Sequence, residues 1–276
     1  RGKGMKWCFE EDHTPPVLST KAHIQHIKAK KGWKMDARFS LPERAVVFCL
    51  GRGIPVLRER FDTKQIMEEL PAFIHQVPVY GVAGHEDVCF LDGGRGAPQA
   101  ASAGDTLHAL GVKEVLVVGL CGAFGEEIQV CDLLIPEKIL SEEGASQHYF
   151  PQVDWAAPEP IWSREELRAF FAGKGLRLQP GNTVTTDGVY RQTFFKEAMW
   201  REKGCVAVDM EASAFVSVCN YYGMRSQVVL MASDRHPLSE NSPPWKWGNV
   251  DFQWARDHMI EASIALALNY PAKPMA

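Results

Sequence analysis

Four apolar runs, each cut off by glycine or by charge, decide what this chain can fold into. AVVFCL (45–50) stops at Gly51-Arg52-Gly53, and DVCFL (87–91) stops just before Gly93-Gly94. EVLVV (114–118) runs into Gly119-Leu120-Cys121-Gly122, and QVVLMA (227–232) stops at Ser233-Asp234-Arg235. A run that is apolar throughout, rather than at alternate positions, is a strand covered on both faces. Helical patterns lie between the runs. Pro98 opens one that reaches Leu110 before Gly111, a second spans 164–172, and a long amphipathic one over 251–268 is expected to pack across the sheet. CDLLIP (131–136) reads as a further strand. Successive strand–loop–helix units predict an α/β fold of three layers, with helices on both faces of a mostly parallel or mixed sheet. Ligands of such folds bind just beyond the strand C-termini. The out-of-place polar residues collect there: Arg52, Arg95, Cys121, Asp187, Glu211 and Asp234.

The 276 residues are read as a single domain, 1–276, with 1–40 an accessory N-terminal segment. In that segment EEDHTPPVLS is a loop, and 21–31 a short helix carrying His23 and His26. A net charge of -4 with acids and bases interspersed gives no basic field for nucleic acid. The run Lys28-Ala29-Lys30-Lys31 is a solvated helix end. No apolar run approaches the ~20 residues that cross a bilayer, and the first residues are polar rather than signal-like. The 7 cysteines are scattered and odd in number, with no CxxC pair. That pattern predicts a reducing compartment, the cytoplasm, with no disulfide framework and no zinc site.

The junction VAVDMEASAF (206–215) poses the chemical question, because an apolar run meets Asp209, Met210 and Glu211 before a helix. One reading is helix initiation, with Asp209 as N-cap and an acid in the first turn. The other is a ligand site at a strand-to-helix turn. Glu211 and Asp234 both stand just past buried strands. A glutamate accepts two hydrogen bonds from the vicinal hydroxyls of a ribose, and its charge favours a cationic sugar transition state. An aspartate held beside an arginine can protonate a leaving group. The glycine loops GGRGAP (93–98) and GLCGAFG (119–125) allow close backbone approach to an anion, but neither has dinucleotide or P-loop spacing. No GxSxG elbow is present.

From about Arg44 onward the chain resembles the nucleoside phosphorylase and nucleosidase superfamily. The resemblance rests on VAVDMEASAF followed by VVLMASDR, and on GGRGAP, VLVVGLCGAFGEEIQVCDLLIP, EEGASQHYFP and TTDGVYRQT in the same order. The last two are closest to the uridine-phosphorylase-like branch. The resemblance implies a central mixed, barrel-like sheet and cleavage of a nucleoside N-glycosidic bond, with no metal or organic cofactor. Glu211 would grip the ribose 2′ and 3′ hydroxyls and Met210 would pack on the sugar. Asp234 would protonate N7 of a departing purine, an aspartate that uridine phosphorylases proper usually lack. Tyr190, Arg191 and Gln192 would line the base pocket near His148 and Tyr149, and Cys121 and Gly122 would face the substrate. Family members are dimers or trimers of dimers with sites completed by a neighbour, so a homo-oligomer is expected. The resemblance also points to a histidine of the N-terminal segment for the 5′-hydroxyl.

The phosphate-binding pattern is broken. The arginine and the serine or threonine that hold phosphate in family phosphorylases are here Val117 and Leu120. Family nucleosidases, which use water, also lack that arginine, yet the glutamate that activates their water is not evident near Gly51. Gly51, Arg52, Arg95 and Gly119 are the remaining candidates for the anion, and a surface salt bridge is the competing reading of each arginine. The resemblance still makes phosphate the first expectation as co-substrate and nucleophile, with water a close second. The alternatives are a hydrolase using water and a nucleoside-binding protein without turnover.

Overall fold

The computed structural model describes residues 7–33 and 40–269, so parts of the N-terminal segment lie outside the described residues. The elements run α1 (Thr20–Lys31), β1 (Arg44–Cys49), α2 (Gly53–Arg60), β2 (Thr63–Met67), β3 (Val79–Val82), β4 (His85–Asp92), α3 (Ala97–Ala109) and β5 (Glu114–Ala123). They continue with β6 (Leu133–Leu134), β7 (Ile139–Glu142), β8 (Trp155–Ala156), α4 (Arg164–Gly173), β9 (Leu178–Gln179), β10 (Asn182–Thr186) and α5 (Phe194–Glu202). The last are β11 (Cys205–Asp209), α6 (Ala212–Tyr221), β12 (Arg225–Arg235), β13 (Lys246–Trp247) and α7 (Phe252–Asn269).

The three layers follow from the period of the strands. In β1, Ala45, Val47 and Cys49 enter one core with Ala100, Leu107 and Phe215 of α3 and α6. Val46 and Phe48 enter another with Leu57, Phe171 and Ile260 of α2, α4 and α7. β5 divides the same way, Val115 and Val117 to one side, Leu116 and Val118 to the other. Side chains alternate across a pleated strand, so a stretch of strand covered by helices on both faces reads as apolar at consecutive positions.

The sheet is mixed, in the order β2-β3-β4-β1-β5-β11-β10-β7-β8, with β12 on the second edge of β5. β1, β4, β5 and β12 are parallel neighbours, whereas β11 meets β5 antiparallel. The sheet branches at β5 and does not close on itself, so the barrel-like form is reached only as a split sheet.

Two predicted turns are strand. β5 continues through Gly119-Leu120-Cys121-Gly122 because β12 stays paired along it, while its other edge passes from β1 at Gly119 to β11 at Gly122. β12 continues through Ser233-Asp234-Arg235 because β13 pairs with its end. CDLLIP contributes only Leu133–Leu134: Cys131 has φ 75 and Asp132 turns to Arg177. Among the described residues, no helix is long and apolar enough to cross a membrane.

Candidate active site

β11 and β12 flank the end of β5 at Gly122, which is in register with both Val208 of β11 and Asp234 of β12. Glu211 therefore leaves the sheet on one side of Gly122 and Asp234 on the other. Cys121, next to Gly122 on β5, lies close enough to feel the charges of Asp209 and Asp234. Its thiol and that of Cys49 are buried, and burial holds both well above the ordinary thiol range. They are neutral floor, not nucleophiles.

The N-cap position of α6 falls on Glu211 rather than on Asp209, two residues earlier. Asp209 is the helix starter: its Oδ1 accepts from the amides of Glu211 (2.9 Å) and Ala212 (2.8 Å) and from Thr185 Oγ1 (2.9 Å), and its Oδ2 from Thr183 Oγ1 (2.9 Å). Burial pushes its pKa up while these bonds pull it back. Asp209→Ala removes the acceptor for two amides at the start of α6 and for the Thr185 hydroxyl, while Thr183 Oγ1 keeps the Ala207 carbonyl at 3.1 Å. It is expected to cost about 2–4 kcal/mol, read as a lower urea midpoint at unchanged slope.

With that task done by Asp209, Glu211 makes no capping bond at the start of α6. Its Oε1 accepts from the Gly96 amide at 2.7 Å, and Oε2 has no hydrogen-bond partner among the described residues. Gly96 lies at φ 83, a conformation that turns its N–H toward the carboxylate and that side-chain-bearing residues rarely adopt. Burial raises the Glu211 pKa to about 7, with the Asp209 charge adding to the rise and the Gly96 bond and Arg95 opposing it. Met210, half-buried, sits beside it at the strand–helix junction.

Arg95 is the arginine whose charge reaches Glu211. Its guanidinium bonds the Gly94 carbonyl (2.7 Å) and both oxygens of Asp92 (3.2 and 3.3 Å), yet 47% of the side chain stays exposed. Asp92 also accepts from the Gly94 amide (2.8 Å) and lies 2.8 Å from His75 Nε2. Arg52 is turned the other way, bound to Asp257 (2.8 Å) and to both oxygens of Glu59 (3.1 and 3.0 Å). It is the salt bridge that was the competing reading, joining α2 to α7. Gly51 is exposed, Val117 is core, and Gly119 packs against Leu230 and Cys49.

Asp234 is buried and held from three directions. Ser233 Oγ donates to Oδ1 at 2.6 Å, Trp245 Nε1 donates to Oδ2 at 2.6 Å, and His236 Nε2 lies 3.2 Å from Oδ2. Burial works to raise its pKa, and the bonds from His236, Ser233 and Trp245 outweigh burial and hold it below the usual carboxylate value.

His236, Trp245, Asp92 and His75 were not singled out from the sequence. For His236 the signal was present: it follows Asp234 by two residues, and period 2 puts both on one face of an extended chain. The base-side candidates are less gathered. Tyr190 is 94% exposed, with Arg191 and Gln192 beside it on a surface turn beginning just past β10. His148 stacks on Trp7 (5.5 Å), and the turn before it is tied to the Asp187 loop by Gly144 N–Asp187 Oδ2 (2.9 Å). Tyr149 donates to Asp105 at 2.7 Å. Among the described residues no group of three or more His, Cys, Asp or Glu forms a metal-binding cluster.

Residues 48–270 match the Phosphorylase superfamily. The chain belongs to that superfamily. It is 27% identical over 250 residues to a DeoD-type purine nucleoside phosphorylase of Bacillus cereus, covering 88% of this chain and 98% of that protein. It is 26% identical over 213 residues to the DeoD-type enzyme of Alkaliphilus metalliredigens, covering 76% and 86%. Two solved structures share the fold. One is the purine nucleoside phosphorylase from Toxoplasma gondii in complex with immucillin-H (TM-score 0.69, 17% identity, 93% of this chain and 98% of that one). The other is the AMP nucleosidase from Bacteroides thetaiotaomicron (TM-score 0.64, 20% identity, 90% and 96%).

Proposed function

We propose that the protein is a purine nucleoside phosphorylase, a pentosyltransferase that cleaves the N-glycosidic bond with phosphate to give free base and ribose 1-phosphate. The observation that carries this reading is that β11, which leads into Glu211, and β12, which carries Asp234, flank Gly122 on β5, in a chain whose DeoD-type relatives match over most of its length. Glu211 Oε2 accepts from the ribose hydroxyls while Gly96 fixes Oε1, and its charge stabilises the cationic sugar as the bond to the base breaks. Asp234 delivers the proton to the departing base. Phosphate attacks C1′ from the Gly119–Gly122 side, with Arg95 the cation nearest to Glu211. The stretch TTDGVYRQT supports Tyr190, Arg191 and Gln192 as base-side residues, with His148 near them.

A hydrolytic reading has its own support. Val117 and Leu120 offer no hydrogen bond to an anion, Arg52 is engaged by two carboxylates, and a nucleosidase shares the fold. A panel of purine and pyrimidine nucleosides, assayed for released base in phosphate buffer, tests the substrate class. Release from purine nucleosides at least about tenfold faster than from pyrimidine ones is expected; the reverse preference would refute the purine assignment.

The seven cysteines are free thiols, five of them buried, which supports a reducing cytoplasmic setting. Tyr190, Phe195, Trp254 and Phe73 are each at least 70% exposed, which supports assembly into a homo-oligomer, a dimer or a hexamer.

A further inference from the structure

Asp234 presents a difficulty as an acid: the groups around it all donate, so at rest it is a carboxylate without a proton to give. Its neighbour resolves this. His236 Nδ1 lies 2.6 Å from Glu197 Oε1 and Nε2 lies 3.2 Å from Asp234 Oδ2. Ionised carboxylates only accept, and an imidazole that bonds one at Nδ1 and has another within 3.2 Å of Nε2 is matched by the imidazolium, which alone carries a donor on both nitrogens. The imidazole also has a prepared seat. A Cβ on Gly122 would stand 2.4 Å from His236 Nε2, so only glycine at 122 admits the ring between β5 and Asp234. Phe124 flanks it at 6.4 Å, and the His236 amide bonds the Ala123 carbonyl at 2.7 Å.

We propose that the proton donor of the reaction is a relay, Glu197–His236–Asp234, in which His236 supplies the proton that Asp234 passes to the departing base. The inference rests on the reading of Asp234 as the acid. The proton leaves Nε2 for the Asp234 carboxylate and goes from that carboxylate to a base nitrogen, as the glycosidic electron pair moves onto the base. Asp234 ends as the carboxylate it began as, and His236 ends neutral with Nδ1–H still donated to Glu197. Solvent returns the proton before the next turnover. Ser233 assists, because its hydroxyl lies 2.6 Å from Asp234 Oδ1 and 3.2 Å from the Cys121 carbonyl and can turn to the latter when Asp234 is protonated.

The charges around His236 agree. From β12 and α5 it faces Asp234 and Glu197. The nearby guanidinia are committed to carbonyls, Arg235 to Ile128 and Glu126, and Arg201 to Phe124. Burial alone would lower the His236 pKa, but the two carboxylates carry it up to about 9. His236 is a positioning and relay residue; Asp234 is the group that touches substrate.

The test compares a purine nucleoside with its N7-methylated form, whose base leaves without taking up a proton. For His236→Gln, turnover of the ordinary nucleoside is expected to fall about 100-fold, and that of the methylated one to change less than about threefold. Glu197→Gln, which leaves Asp234 and its contacts in place, is expected to give the same selective loss at about tenfold. Equal losses on both nucleosides in both variants, or no loss on either, would overturn the relay. Imidazole ¹⁵N resonances of the resting enzyme provide a readout that needs no substrate. A doubly protonated His236 ring through about pH 8 is expected, and a ring already neutral at about pH 7 would overturn the proposal. A wild-type protein silent toward every nucleoside would refute the functional reading instead, and the resonances would still decide whether the relay exists.

Discussion

Replacing Glu211 with glutamine is expected to lower kcat/KM for a purine nucleoside by about 10²–10³-fold, since hydrogen bonds to an ionised group contribute about 1.5–3 kcal/mol each. The amide keeps an acceptor for the Gly96 N–H if its oxygen takes the Oε1 position. The group presented to the ribose is then an NH2, which cannot accept from either hydroxyl and carries no charge to stabilise the cationic sugar. The variant should fold, and raised pH should favour it over wild type in stability. The sign follows from burial. Glu211 has a folded pKa of about 7 against an ordinary 4.5, so the folded state favours the protonated acid. The stability this gives is fully present below pH 4.5 and is lost as pH rises through about 7, on the order of 3 kcal/mol at ~1.36 kcal/mol per unit. Glutamine stays neutral and escapes the loss. Catalysis runs the opposite way, because ribose hydroxyls donate to the ionised form. Wild-type kcat/KM is expected to fall as pH drops through about 7, and an acid limb absent from that range would contradict the role given to Glu211.

Asp234→Asn is expected to remove about 10²–10³-fold of purine turnover while nucleoside binding, measured by calorimetry, changes less than about threefold. The site tolerates the amide. Its oxygen can stay toward Trp245 and His236, which donate, and its NH2 can face Ser233 Oγ, which also accepts. Folding should therefore survive, and the loss should reflect the missing acid. Retained turnover would show that the base leaves without help from Asp234. Weakened binding together with lost turnover would instead make Asp234 a substrate anchor.

Much of this site was legible in the sequence. The apolar runs marked the strands, because burial on both faces favours apolar side chains on each. Glu211 and Asp234 stood out as acids at the ends of such runs. What was not legible depends on pairing between distant segments. Nothing near Gly119 announces that β5 exchanges β1 for β11 and so remains strand, nor that β13 extends β12 through Asp234. Arg52 looked available for phosphate because its partner Asp257 lies far along the chain, on the closing helix. The Glu197–His236 pair likewise joins α5 to the end of β12. Gly122 reads as a turn glycine in sequence, while its structural reason is the imidazole packed against it.

The most direct measurement follows the sugar. The protein, a purine nucleoside and inorganic phosphate are incubated, and the products are read by ³¹P NMR alongside released base. Ribose 1-phosphate formed one for one with free base, and no base release when phosphate is omitted, is the predicted result. Base release that proceeds equally without phosphate and leaves free ribose would contradict it, and would make this Val117- and Leu120-lined site that of a hydrolase.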